Sequence, residues 1–233
     1  YYALIIGVSK YYNDKLNLDK PEQDARALHD VLVSRYTFND SNITMLMSPT
    51  REKILQQLLL FRKKIKPSDN LLIFYAGHGL FDEAAEQGYW LPADAQVDNP
   101  ANWISNSDLK EQIKGIKSMH TLLISDACFS GGIFKTRDVT QLKNAPNDIK
   151  QLYAMPSRRA ITSGTLTVVP DNSAFLEYLN KNLRQNNSKY LASQDLFYKM
   201  RGAVIGNSPV VPQTGIIYQA GDEGGDFIFI LKE

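Results

Sequence analysis

Short apolar runs alternate along this chain with longer amphipathic segments, and this alternation is what most limits its fold. Residues 2–8 (YALIIGV), 43–47 and 71–76 have the length and apolar character of buried strands. Leucine and alanine recur at helical spacing between these runs, and the first such segment begins at Pro21. Because strands that alternate with crossover helices pair in parallel, the sequence predicts an α/β fold with a mostly parallel sheet between helices.

The second half of the chain continues this pattern. Apolar runs predict strands that lead into Cys128, cover 160–163 and cover 227–231, while residues 80–104 are predicted to form a hairpin and loop. Helices are expected to begin where a hydroxyl side chain can accept a hydrogen bond from the first turn, at Thr50, Ser105, Ser173 and Ser193. In parallel sheets of this kind, functional sites lie beyond the carboxyl ends of the strands.

Composition excludes several classes of function. A net charge of +1 over 233 residues argues against a nucleic-acid partner held mainly by charge, and no apolar run approaches the ~20 residues that cross a bilayer. The single cysteine excludes an internal disulfide, so a cytoplasmic location is expected. Because the sequence begins at Tyr1, directly before a strand-like run, further domains or operon partners are expected outside it.

Two of the predicted strands end in residues with matched chemistry. The run 71–76 leads to His78, which stands between two glycines, and the later run leads to Cys128, which small residues follow. If both strands lie in one parallel sheet, the imidazole and the thiol emerge at the same edge, where the histidine can take the thiol proton. His120 stands at the opposite end of its strand, about 26 Å from Cys128, and His29 lies within a predicted helix.

Backbone amides beside these two residues are the candidates for stabilising a reacting carbonyl. The N–H groups of Gly79 and Cys128 are expected to hold the developing oxyanion. Other chemistries lack their motifs, since the sequence contains no G-x-G-x-x-G or Walker loop, no G-x-S-x-G elbow and no metal-ligand spacing. The alternative to a cysteine hydrolase is a catalytically silent scaffold or sensor module of the same fold.

These motifs resemble those of a known peptidase family. Residues 75–79 (YAGHG) and 126–131 (DACFSG) are similar to the paired motifs of the caspase-like cysteine peptidases, family C14, of the metacaspase and prokaryotic orthocaspase type. Further stretches resemble this family at 4–8, 18–25, 159–164, 212–215 and 224–227. The resemblance implies a caspase–haemoglobinase fold, with a six-stranded, mostly parallel sheet between helices. It also implies a catalytic dyad in which Cys128 is the nucleophile and His78 handles the proton.

The substrate preference is predicted from Asp126. Residues two apart in a strand face the same way, so this carboxylate is expected to point into the same cleft as the thiol of Cys128. An acid at this position disfavours the thiolate unless a basic substrate side chain relieves the repulsion. We therefore expect cleavage of a protein or peptide after arginine or lysine. The resemblance implies the same preference and adds Asp24 as a second acid of the pocket.

Residues 133–157 are polar and lysine-rich without a clear period, which predicts a loop that is either functional or disordered. The resemblance implies a single peptidase domain spanning residues 1–233. Within it, residues 1–134 resemble a large subunit, residues 135–157 form a flexible linker, and residues 158–233 resemble a small subunit. Cleavage in or next to the linker is expected to activate the protein. The candidate cleavage sites are Lys135, Arg137, Lys143, Lys150 and Arg158.

Some members of the family bind calcium, and the resemblance aligns Asp94 and Asp108 with two of the ligands. Ser107 stands where a paired acid is expected, and Lys135 stands where another ligand should come. Two carboxylates beside a lysine make a poor calcium site. The sequence therefore predicts no metal ion or other cofactor.

Overall fold

A mostly parallel β-sheet forms the centre of the computed structural model, which describes residues 1–127, 134–135, 146–164 and 172–233. Its strands lie in the order β2–β1–β3–β7–β9–β11–β8, and the first five are parallel, whereas β11 and β8 run antiparallel to their neighbours. The bounds are β1 (Tyr2–Gly7), β2 (Ile43–Met47), β3 (Asn70–Ala76), β7 (His120–Asp126), β8 (Phe134–Lys135), β9 (Ser157–Thr162) and β11 (Gln213–Ile217). The expected sheet of six mostly parallel strands is thus confirmed, with the two-residue β8 added at its edge.

Helices cover both faces of this sheet because the strand side chains alternate between two apolar layers. One layer packs against α1, α5 and α6, and the other against α2 and α3. The helices of the described residues are α1 (Pro21–Arg35), α2 (Arg51–Lys64), α3 (Asn106–Gly115), α4 (Pro146–Ala154), α5 (Ala174–Gln185) and α6 (Ser193–Asn207). No helix within the described ranges combines the length and the apolar character that a membrane-spanning segment requires.

Two small sheets accompany the central one in the described ranges. The expected hairpin is confirmed: β4 (Gly79–Asp82), β5 (Gln87–Trp90) and β6 (Ile104–Ser105) form an antiparallel sheet. The second small sheet pairs β10 (Tyr190–Ala192) with β12 (Ile228–Ile230), which lies within the strand predicted at 227–231.

Three of the predicted helix starts are confirmed and one needs a correction. Thr50, Ser105 and Ser173 each accept a hydrogen bond from the first turn of their helix, and Asp108 completes a capping box with Ser105. Ser193, in contrast, is the first residue of α6 and donates its hydroxyl hydrogen bond to the carboxylate of Asp226. Asp226 also accepts a hydrogen bond from the backbone of Gln194. The capping acceptor of α6 therefore comes from a distant segment that sequence spacing does not reveal.

The prediction that residues 133–157 form a loop is wrong for its second half. Helix α4 begins at Pro146, which suits a first helical position. Ile149, Leu152 and Tyr153 then recur at helical spacing among the polar residues. The linker expected at 135–157 thus contains a helix and, at Ser157, the start of β9.

Candidate active site

His78 lies beyond the carboxyl end of β3, in the tight turn that leads into β4. Its imidazole is half-buried, and Nε2 lies 2.9 Å from the carbonyl oxygen of Leu16. A carbonyl only accepts hydrogen bonds, so Nε2 must be the protonated nitrogen in this contact. The neutral ring therefore carries its acceptor lone pair on Nδ1, which is the tautomer that a general base requires.

Strand β7 ends directly beside β3, at the same edge of the sheet. The two strands are parallel and in register, with Ala76 opposite Asp126. Ala127 follows as a buried residue and is the last one described before Cys128. Cys128 itself lies outside the described residues. The expectation that its strand and the strand of His78 end at one edge is confirmed, whereas the contact between the thiol and the imidazole stays a prediction.

Asp126 is a buried carboxylate at this edge, with 5% of its surface exposed. Its pKa is raised to about 6, mainly by burial and also by the negative charge of Asp24, while the hydroxyls of Ser163 and Ser173 act in the opposite direction. Among the described residues, neither Oδ1 of Asp126 nor Oγ of Ser163 has a partner at hydrogen-bonding geometry. A buried acceptor without a donor is costly.

Asp24 lies in the first turn of α1 and approaches the carboxylate of Asp126 closely enough to affect its pKa. A cavity of about 530 Å³ opens beside it, between the start of α1 and the length of α5. Its lining includes Asp24, Ser173 and Glu177 together with Lys20, Lys181 and Arg184. Asp24 lines this cavity, whereas Asp126 is not part of its lining. The joint role of the two acids stays a prediction.

The two other histidines lie away from this edge. His120 is the first residue of β7, buried, with its ring nitrogens bonded to Ser157 and to the carbonyl of Tyr153. Burial lowers its pKa to about 4, so this ring is neutral at physiological pH. His29 is on α1 and lies 2.7 Å from Asp40. Neither ring competes with His78 for the role of base, as expected.

The oxyanion candidate and the candidate cleavage sites lie in different parts of the chain, and only some of them are described. Gly79 begins β4 opposite Trp90, and a contact of its N–H with an oxyanion stays a prediction. Arg137 and Lys143 lie outside the described residues, and only the backbone of Lys135, in β8, is described. Lys150 is exposed on α4.

Arg158 is a poor cleavage site, contrary to expectation. It lies in β9 with 6% of its surface exposed, and its guanidinium donates to the carbonyls of Ser118, Met119 and Ser157. A peptide bond in a central strand would have to leave the sheet before it could enter any protease cleft.

The residues aligned with calcium ligands have other contacts. Asp94 accepts a hydrogen bond from the backbone N–H of Arg51, at the start of α2. Asp108 caps α3, and its carboxylate lies 3.9 Å from the Arg51 guanidinium, while Ser107 donates to Gln87. Within the described ranges, no three acidic, histidine or cysteine side chains cluster as metal ligands would. The described residues at these positions therefore do not fit a calcium site.

Sequence reasoning missed several residues of the site. Leu16 contributes a backbone carbonyl oxygen, and a contact of this kind cannot be predicted from a motif of side chains. Ser163 and Ser173 come from different segments and lie close enough to Asp126 to lower its pKa, and only the fold brings them together. Tyr11, whose hydroxyl contacts the backbone of His78, lies 67 residues away along the chain. Its position just after the first strand was the only available signal.

Comparison with known proteins agrees with this architecture. Residues 1–219 match the sequence model of a peptidase family described as the caspase domain. Metacaspase-6 of Arabidopsis thaliana is 33% identical over 141 residues, covering 56% of this chain and 38% of that protein. Metacaspase-1 of Eremothecium gossypii is 29% identical over 189 residues, covering 70% of this chain and 40% of that protein. The chain thus spans well under half the length of these relatives.

Solved structures share the fold at low sequence identity. A protein of Geobacter sulfurreducens aligns with a TM-score of 0.60 at 17% identity, over 91% of each chain. The Drosophila initiator caspase Dronc aligns with a TM-score of 0.61 at 10% identity, over 97% of this chain and 81% of its own. These likenesses concern the fold alone.

Proposed function

This chain belongs to the caspase domain family, and we propose that it is a cysteine endopeptidase that cleaves proteins or peptides after arginine or lysine. His78 Nδ1 takes the proton of the Cys128 thiol, and the sulfur attacks the scissile carbonyl carbon. The N–H groups of Gly79 and Cys128 hold the resulting oxyanion. The C–N bond then breaks as the imidazolium protonates the leaving amine. Water, deprotonated by His78, hydrolyses the thioester and restores the thiol.

The preference for a basic residue is supported above all by Asp126. Its carboxylate is buried, lacks a donor to Oδ1 among the described residues, and lies next to a second acid, Asp24. A guanidinium or ammonium group would donate to Oδ1 and offset both negative charges. An acidic side chain would do neither, and a neutral one would not offset the charges. We propose that Asp126 binds the side chain of the substrate residue before the cut, with Asp24 contributing at the entrance.

A peptide library tests this function. Fluorogenic peptides that differ only in carrying arginine, lysine or aspartate before the reporter are incubated with the protein, and the Cys128→Ala variant serves as the blank. We expect hydrolysis of the arginyl and lysyl peptides and none of the aspartyl peptide. Equal signals from the protein and the blank would support the silent scaffold or sensor module instead. A dominant aspartyl signal would contradict the role of Asp126.

The same incubations test two subsidiary proposals. We propose that the peptidase needs no calcium, because Asp94 and Asp108 make other contacts, so rates should be equal in EGTA and in millimolar calcium.

We also propose activation by cleavage after Lys135, Arg137 or Lys143, or after the exposed Lys150. Intact-mass analysis of the incubated protein should reveal fragments that end at one of these residues, and no fragment that ends at Arg158.

Activity on basic substrates should fall as the pH drops below about 6. In this range Asp126, whose pKa is about 6, becomes protonated and loses the charge that attracts the substrate cation. The ionised fraction falls tenfold per pH unit well below the pKa, and kcat/KM for an arginyl peptide should follow it. The rate of Cys128 alkylation by iodoacetamide serves as the control, because it follows the ionisation of the dyad but needs no substrate cation bound to Asp126; protonation of Asp126 should leave this rate equal or raise it. If both rates share one acidic limb, that limb does not report on Asp126.

A further inference from the structure

Two buried tyrosine hydroxyls hold the peptide backbone of His78 from both sides. The N–H of His78 donates to the hydroxyl of Tyr11 at 2.9 Å, and the hydroxyl of Tyr75 donates to the carbonyl of His78 at 2.8 Å. Tyr11 therefore contacts the amide side of this residue, and Tyr75 contacts its carbonyl side. Burial raises the pKa of both tyrosines above the usual value, so both hydroxyls keep their protons.

The two tyrosines make further contacts within the site. The Tyr11 side chain packs against the imidazole, with ring centroids 5.2 Å apart, and the Tyr75 hydroxyl also reaches the carbonyl of Leu91. Tyr75 stacks on Trp90 at 4.2 Å, and the indole N–H of Trp90 donates to Ser125, on the strand that leads to Cys128. The position of the histidine is therefore linked to the end of the neighbouring strand.

Gly77 shows how closely the hydroxyls approach the turn. A Cβ atom at this position would lie 3.0 Å from the Tyr75 hydroxyl and 3.1 Å from the Tyr11 hydroxyl. The φ of Gly77 is +157°, which residues with a Cβ rarely adopt. The absence of a side chain at Gly77 thus leaves room for both hydroxyls.

We propose that Tyr11 and Tyr75 are positioning residues, which fix the backbone of His78 so that its imidazole keeps Nε2 on the Leu16 carbonyl and Nδ1 toward the nucleophile. This proposal rests on the peptidase function proposed above. Rigid placement matters because small displacements of a catalytic group lower the rate of the chemical step far more than they lower substrate binding. Neither hydroxyl transfers a proton to or from the substrate.

Single Tyr11→Phe and Tyr75→Phe variants test this proposal. Tyr36→Phe is the matched control, because Tyr36 is also buried and also donates to a backbone carbonyl, that of Leu183, at 2.9 Å. For each variant, kcat and KM are measured on an arginyl peptide. The imidazole ¹⁵N resonances are followed through a pH titration, which is feasible because the chain has three histidines. Asparagine substitutions of each histidine assign the signals.

We expect kcat to fall about 10- to 100-fold in both test variants, with KM within twofold of the parent value. The His78 resonances should move away from the pure Nε2–H pattern, while those of His29 and His120 stay in place. Tyr36→Phe should change neither kcat nor the His78 signals, even if its melting temperature falls equally. Unchanged His78 resonances and unchanged kcat in both test variants would overturn the proposal. If the parent protein cleaves no peptide, the peptidase function fails, and the resonances alone then decide whether the tyrosines fix His78.

Discussion

An Asp126→Asn variant should hydrolyse arginyl and lysyl peptides at least about a hundredfold less efficiently than the parent protein. The change keeps the shape of the side chain but removes the charge that a bound guanidinium would meet in a buried site. Leaving one partner of a buried, hydrogen-bonded charge pair without the other costs about 3–5 kcal/mol, which corresponds to a loss of roughly two to four orders of magnitude in kcat/KM. The measurement is kcat/KM at pH 7.5, above the pKa of Asp126.

Two controls separate this loss from damage to the fold or the dyad. Because burial raises the pKa of Asp126, its ionised form destabilises the folded protein above pH 6, so the variant should melt at an equal or higher temperature at pH 7.5. Alkylation of Cys128 by iodoacetamide should proceed at a similar or faster rate, since a neighbouring negative charge has been removed. Undiminished cleavage after arginine would assign the specificity pocket to other residues.

A Gly225→Ala variant should lose about 3 kcal/mol of unfolding free energy, the upper end of the range for an overpacked site. Its Cβ would lie 1.8 Å from the carbonyl oxygen of Met155 and 2.8 Å from that of Leu152, and both are backbone atoms that side-chain rotation cannot move. The contact joins the end of α4 to the segment in which buried Asp226 caps α6 and lies 3.6 Å from Arg159. Relief of the clash would disturb this ion pair as well.

Urea unfolding measures this effect, with Gly202→Ala as the matched control. Gly202 lies within α6, and no atom comes within 4 Å of the position that a Cβ would take. Alanine there should stabilise the protein by about 0.5–1 kcal/mol, because it favours the helical backbone. If the two variants unfold at the same urea concentration, the close packing of Gly225 against α4 is refuted.

The sheet could be predicted from the sequence because its central strands are uniformly apolar and separated by helices. The run 71–76 and the run before Cys128 fall almost entirely within β3 and β7, and the capping hydroxyls of Thr50 and Ser105 mark helix starts. Strand β11 was harder to predict, since its sequence, QTGII, contains a glycine and begins with polar residues. It forms a strand because it pairs with the edge of β9. This pairing is a tertiary effect that a local sequence pattern does not encode.

The candidate site likewise contains residues that a local sequence pattern predicts and residues that only the tertiary fold brings together. His78 and Asp126 could be predicted because each directly follows or ends a recognisable strand. The carbonyl of Leu16, the hydroxyl of Tyr11 and the hydroxyl of Ser173 could not, because they come from other segments and act through a backbone atom or a common polar group. The capping of α6 by Asp226 was mispredicted for the same reason: Ser193 had the right residue type, but the acceptor lies 33 residues further along the chain.

The position of β9 has a consequence for any nicked form of this protein. Six residues of β9 pair with β7 on one side, and four pair with β11 on the other. A break anywhere in 136–145 would therefore yield two polypeptides interleaved in a single sheet, which separate only when the whole domain unfolds. Such a protein would migrate as one species on a gel-filtration column and as two bands after denaturation.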